Sequence, residues 1–430
     1  MRNRIGLALI LSAAVRPAFG LTESEANASI QFSFTSPGAR SLAMGGAFLG
    51  IAADATAAYS NPAGLQALAK PEASAEYRYS RFDTPYVAGG AARLNPFDLS
   101  GVTYDSTRSH SSGLAFLSYS RPLPADTNIA FYRSELARFE SAYSAGRVDL
   151  LDPGRGALRA VDSQIDLAIV NYGVSASWRA SERWSLGAGL SYYTLDFDTV
   201  STRFRTGTTE VSSRQLQRGD DGQLDFNLGV HVRLARVAQG DLTLGVVYRG
   251  GPGFDYSGVN EILLNAANEP QPRTDRIADI AFDTPDVYGA GLAWQSDAWV
   301  LSFDVLRVEY SSLSGQLSSL LTNSAEVLAP LKIDDGTEFR LGAEYTIDGK
   351  YSLRAGAWRD PAHSLRYDVP SAPDQTNLSS LAVLFSAPSD DETHYALGAG
   401  LIFEHFQIDL AADFSDAVDS YSISTVWRFD

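Results

Sequence analysis

Ionisable side chains recur at every second position along segments whose alternate positions are apolar. Asp225, His231 and Arg233 share one such segment, Asp304 lies in another, Glu338, Arg340 and Glu344 in a third, and Arg354 in a fourth. Carboxylates and guanidiniums on one face can do two things. They can form an ion network among themselves, or an Arg can pair with a carboxylate carried by a ligand, for which its planar, permanently charged fork is suited. Other chemistry finds less support. The five histidines, His110, His231, His363, His394 and His405, show no metal-ligand spacing. There is no cysteine, which removes thiolate nucleophiles, Cys-ligated zinc, iron–sulfur clusters and disulfides. A hydrolase would need a nucleophile motif beside His394 or His405, and none is present. The Gly-x-Gly pairs 187/189, 289/291 and 398/400 sit inside alternating segments with no helix after them, so they read as small wall residues, not phosphate loops. No enzyme activity, cofactor or metal is expected. A formal net charge of −17 argues against a nucleic-acid partner.

The elements that must position these groups are strands. Ala73, Ala75, Tyr77 and Tyr79 alternate with Glu72, Ser74, Glu76 and Arg78; Leu224, Phe226, Leu228, Val230 and Val232 alternate with Asp225, Asn227, Gly229, His231 and Arg233. Successive side chains of a strand point to opposite faces, so each segment has one apolar and one polar face. Twenty Tyr and 21 Phe against two Met fit the same reading. Segments of this kind start near residues 72, 113, 128, 168, 184, 224, 242, 287, 299, 337, 351, 393, 406 and 421, about fourteen strands of roughly ten residues, the length that crosses an outer membrane when tilted.

The connections alternate in length. Those at 122–126, 180–182, 238–241, 296–297, 348–350 and 404–405 are tight, whereas those at 82–111, 136–167, 196–221, 250–285, 311–336 and 360–391 are expected to be long loops. A soluble sandwich has no reason to put every long loop at one end. A closed outer-membrane barrel has short periplasmic turns, long extracellular loops and no free sheet edge. The polar faces then point into the lumen, which places the eight ionisable residues named above inside. Leu313, Leu317, Leu320 and Leu321 share one face of an expected amphipathic loop helix over 313–328. The last strand ends on Phe429 before Asp430, similar to the C-terminal signal read by the barrel-assembly machinery. Lipopolysaccharide and outer-membrane lipid are the remaining expected partners.

The first seventy residues follow other rules. Arg2 and Arg4, an apolar run over 5–15 and the small-x-small site Ala18-Phe19-Gly20 form a secretory signal over residues 1–20. Residues 21–71 include an Ala- and Gly-rich stretch over 36–69 without alternation, of a length that suits a plug inside the barrel of residues 72–430. Within it, Asn61 can bond backbone groups, Pro62 fixes its own φ and Ala63 and Gly64 follow as a turn. Leu42, Met44, Phe48 and Leu49 are placed either to line an apolar pocket or to pack the plug on the wall.

Gly45-Gly46-Ala47, the Ala53-Asp54 pair and Asn61-Pro62-Ala63-Gly64 resemble the N-terminal hatch of the FadL/TodX family, outer-membrane transporters of long-chain fatty acids and hydrocarbons. Residues 183–190, 299–310 with Asp304, 351–356 and the closing hairpin from Tyr395 are also similar to that family, so the resemblance covers nearly the whole mature chain. It implies an all-β transmembrane antiparallel barrel of about fourteen strands plugged by the hatch. It also implies a hydrophobic small-molecule substrate that is caught by extracellular loops, passed to a site against the hatch and released sideways through a gap near the third strand. The opening Ala43–Ala47 is shared with PorV-like barrels that serve protein secretion or surface attachment, which is the alternative.

Overall fold

The computed structural model describes residues 34–51, 54–265, 268–314, 331–369 and 380–430. The expected signal segment lies outside these residues, as do Ala53 and nearly all of the expected loop helix. Fourteen strands form a closed antiparallel barrel: β1 Glu72–Leu94, β2 Val102–Leu123, β3 Thr127–Ala145, β4 Val161–Arg179, β5 Trp184–Phe204, β6 Val211–Val237, β7 Gly240–Arg249, β8 Val287–Gln295, β9 Trp299–Val308, β10 Gly336–Ile347, β11 Tyr351–Asp360, β12 Glu392–Ile402, β13 Phe406–Phe414 and β14 Val418–Arg428. Each pairs with the next, and β14 closes on β1 from Glu72↔Arg428 to Phe82↔Val418. Closure satisfies the backbone groups that a bilayer would otherwise leave unpaired.

The period-two pattern becomes an inside and an outside. On β4 and β5, Trp178, Trp184, Leu186, Leu190, Tyr192 and Tyr172 are exposed, while Asn171, Ser175, Ser191 and Tyr193 between them are buried. The exposed set makes an apolar band with Trp near the short turns and Tyr at its other edge, the aromatic girdles of a membrane-spanning wall. The tight connections fall at the same end as predicted.

The long loops differ from expectation. β1 and β2 continue to Leu94 and from Val102, β3 and β4 to Ala145 and from Val161, and β5 and β6 to Phe204 and from Val211. Three of the six expected loops are therefore mostly extensions of the wall strands. Residues 250–285 hold a hairpin, Gly253–Leu264 with Pro270–Asp283, that pairs with the upper part of β6. The reason is physical. Above the bilayer neither strand face meets hydrocarbon, so a run such as Ser106-Thr107-Arg108-Ser109-His110 loses the alternation yet keeps its ladder.

The segment before β1 folds into two short helices, α1 Ala39–Ala43 and α2 Ala57–Ser60, and a 3-10 turn Pro62–Ala67. It is almost wholly buried against the lumen faces of the strands. Gly45 and Gly46 take φ of 62° and 73°, values that suit glycine. Gly245 and Gly356 on the wall have no space for a Cβ, because the backbones of Leu49 and of Met44-Gly45 lie against them.

Candidate functional site: the filled lumen and its wall opening

Asn61 is the hub of the segment. It is extended, with φ −155°, and caps the 3-10 turn: its Oδ1 accepts from Ala63 N at 3.2 Å, and Pro62 follows where an N–H would have no partner. Its Nδ2 donates to Leu49 O and to Val230 O on β6, each at 3.2 Å. One side chain thus ties two parts of the segment to the wall. Asp304 on β9, wholly buried, accepts from Phe48 N at 2.7 Å and Leu49 N at 2.8 Å through one oxygen. His231 donates from Nε2 to Gly50 O at 2.9 Å, and Thr243 donates to the same oxygen at 2.8 Å. Glu76 accepts from Gly38 N at 2.8 Å.

An ion network holds α1. Arg40 reaches Glu344 on β10 with Nε at 2.9 Å and Nη2 at 2.7 Å, and lies 3.8 Å from Asp54. Arg354 on β11 bonds Glu344 at 2.5 Å and Asp409 on β13 at 2.8 Å. Glu338 and Arg340 form a separate buried pair at 2.5 Å, with Arg340 over the Trp358 ring at 4.8 Å. Opposite charges this deep need such geometry to offset their desolvation. Glu338, Arg340, Glu344 and Arg354 are thus each paired with a charge of the wall or of the segment.

Two of the eight expected lumen residues do not join. Arg233 sits at the short-turn rim and is exposed, because a bulge beside Leu242/Thr243 ends the lumen face there. Asp225 is half-buried and among the described residues bonds only Phe226 N, at 2.6 Å. The four apolar residues separate. Met44 and Phe48 pack with Ile51 on Ala293 and Val300, Leu49 joins the large cluster above the segment, and Leu42 faces a cavity. Sequence reasoning missed Arg40, Asp409 and Asp413. The last two stand at alternate positions of the strand starting at Phe406, so their lumen-facing placement was readable.

Among the described residues the ladder around the barrel parts between β2 and β3. β2 and β3 pair only from Phe116↔Ser134 to Leu123↔Thr127. Above this point β2 stays with β1 and β3 stays with β4. Register shifts set Ala115 of β2 and Leu136 of β3 out of their ladders where the strands part. Higher up the sides meet again: Thr107 Oγ1 donates to Ala142 O at 2.7 Å, and Val148–Leu150 pairs in parallel with residues 90–92 of β1. Just inside lies a cavity of about 100 Å³ that touches Thr35 and Leu42 of the segment and Ser111, Ala115, Leu136 and Ala137 at the opening. Among the described residues no cluster of His, Asp and Glu is arranged to hold a metal.

A closed fourteen-stranded barrel with a girdled outer face and a filled lumen is an outer-membrane barrel of the transport type. The chain belongs to the outer membrane protein transport protein family (OMPP1/FadL/TodX), whose family model matches residues 151–419. Solved structures carry the same fold. A Pseudomonas aeruginosa FadL homologue is 14% identical with a TM-score of 0.61, covering 93% of this chain and 99% of that one. The Pseudomonas putida toluene transporter TodX is 15% identical with a TM-score of 0.57, covering 92% and 99%. The Ralstonia pickettii toluene transporter TbuX is 14% identical with a TM-score of 0.58, covering 93% and 100%. No curated protein matches the sequence.

Proposed function

We propose that this protein carries hydrophobic compounds, long-chain fatty acids or hydrocarbons, passively across the outer membrane, and that they leave sideways between β2 and β3. Residues 1–20 act as the export signal, residues 21–71 as the hatch and residues 72–430 as the barrel. The observation that carries this reading is the cavity that reaches from Leu42 to the parted strands. An apolar molecule gains by entering hydrocarbon, so a side exit needs no energy source. Cargo that binds better when the segment is shifted would open the path by differential affinity. A cavity continuous with a wall opening favours small-molecule passage over the secretion-partner alternative.

The test is uptake of labelled oleate and labelled toluene by cells lacking their own transporters, with heat-modifiable migration as the control for folding. Uptake of either above the empty vector, reduced when Asn61 and Pro62 are both replaced by Ala, supports the reading. A folded barrel that takes up neither refutes it.

A further inference from the structure

A short element covers part of the long-loop end of the barrel. Residues 380–386 include a one-turn helix, α3 Leu381–Leu384, between β11 and β12. Leu384 and Phe385 belong to the apolar cluster above the segment, which also draws side chains from β1, β3, β4, β5, β7, β8 and β9. A piece of chain that joins this cluster lies over the lumen. Val383 packs beside it among Val87, Leu94, Val102, Val148 and Leu150, and is fully buried. Phe34 and Leu49 of the segment before β1 and Leu136 beside the wall opening share the cluster with Phe385. Roof, segment and opening thus meet on one body of apolar side chains.

The roof is attached differently from the segment below it. Polar bonds to Asn61, Asp304, His231 and Glu76 tie the segment to the wall. Among the described residues, 380–386 make one hydrogen bond to the wall, between Tyr104 Oη and Ser386 Oγ at 3.1 Å. Their other bonds are internal: Val383 N and Leu384 N donate to Ser380 O, and Ser386 N and Oγ donate to Val383 O. The rest of their described hold is apolar contact, which is non-directional and scales with the area covered. A hydrophobic molecule replaces such contacts in kind, whereas a polar solute has nothing to exchange for them. Resting on the transport reading, we propose that residues 380–386 are an outer gate, opened when hydrophobic cargo takes the places of Val383, Leu384 and Phe385 in the apolar cluster. The cargo biases the roof between two states by its differential affinity for them. It enters on the same side chains that lead to Leu136 and the wall opening.

The chain has no cysteine, so introduced thiols report alone. Val383→Cys places a thiol under the roof, and Thr208→Cys, at an exposed position, is the reference for reactivity. Each full-length mature barrel is purified, placed in lipid nanodiscs, checked by heat-modifiable migration and treated with a water-soluble maleimide. The Val383→Cys thiol is expected to react many-fold more slowly than the reference. Toluene is expected to raise its rate several-fold, and glucose to leave it unchanged. A second variant carries Tyr104→Cys and Ser386→Cys, joined on intact cells by a short bismaleimide with a reducible disulfide in its linker. Its toluene uptake is expected to fall to the empty-vector level on joining and to return when the linker is reduced. Labelling of Val383→Cys that toluene does not speed, or uptake that persists while the two thiols are joined, overturns the proposal. Failure of the transport reading registers separately, as no uptake by the native sequence, and the labelling result does not depend on uptake.

Discussion

Arg40 and Glu344 form a two-point ion pair, 2.9 and 2.7 Å, between a helix of one turn and the wall strand β10. Glu344 also receives Arg354, so one carboxylate answers two guanidiniums. Removing it leaves Arg354 with Asp409 alone and Arg40 with Asp54 at 3.8 Å. Glu344→Ala is expected to destabilise the barrel by about 3–5 kcal/mol, read as a lower urea midpoint in detergent micelles. Glu344→Gln is expected to recover part of that loss through its remaining acceptor.

Asp304 makes a different kind of contact, to backbone and not to charge. In Asp304→Ala the amides of Phe48 and Leu49 lose their acceptor, at about 1–3 kcal/mol for each buried group left unpaired. The barrel is expected to keep its heat-modifiable migration while the segment over 44–51 becomes cleavable by added protease. Unchanged protease resistance would mean that the other ties suffice.

Gly245 lies where the Leu49 carbonyl touches the wall. Gly245→Val leaves no room for that approach, so the segment is expected to seat badly and the folded fraction in the outer membrane to fall several-fold. Gly349, in a short turn with nothing within 4 Å of a Cβ, serves as the control for adding a side chain; its φ of 65° makes Gly349→Asn the suitable change.

Period-two alternation made the strands legible, because the bilayer imposes one apolar face and the lumen one polar face. The Asn61-Pro62 pair stood out for the same kind of reason: Asn and Pro together announce a cap. What escaped was whatever depends on register. Which acid meets Arg40 is set by how strands distant in sequence line up around the barrel, and nothing local encodes it. The bulges at Ala115 and Leu136 escaped too, since one extra residue in a ladder has no composition signal. Arg233 was misplaced because its strand continues past the point where the lumen face ends.

His363, beyond the end of β11, offers a pH test. Burial alone would lower its imidazole; the Asp360 carboxylate 3.5 Å away and the bond to the Pro361 carbonyl, with Glu338 nearby, more than offset this and hold it at about 9. Tyr310 stacks on the ring at 4.3 Å and Arg340 lies beyond Glu338. The folded value is above the ordinary histidine value near 6.5. The stabilisation is therefore full below about pH 6.5 and is lost as pH rises through about 9, an effect on the order of 2–3 kcal/mol. The urea midpoint is expected to fall between pH 6 and pH 9.5 in the native sequence. His363→Gln is expected to flatten most of that slope.

The side exit is tested most directly by filling it. Gly113 on β2 faces the opening, where a Cβ would meet only Arg138 Nε at 4.0 Å. Gly113→Trp puts an indole into the opening without crowding the ladder to β1. In cells lacking their own transporters, with equal amounts of folded barrel, labelled toluene and oleate uptake by this variant is expected to drop to the empty-vector level. Uptake equal to that of the native sequence would contradict exit between β2 and β3.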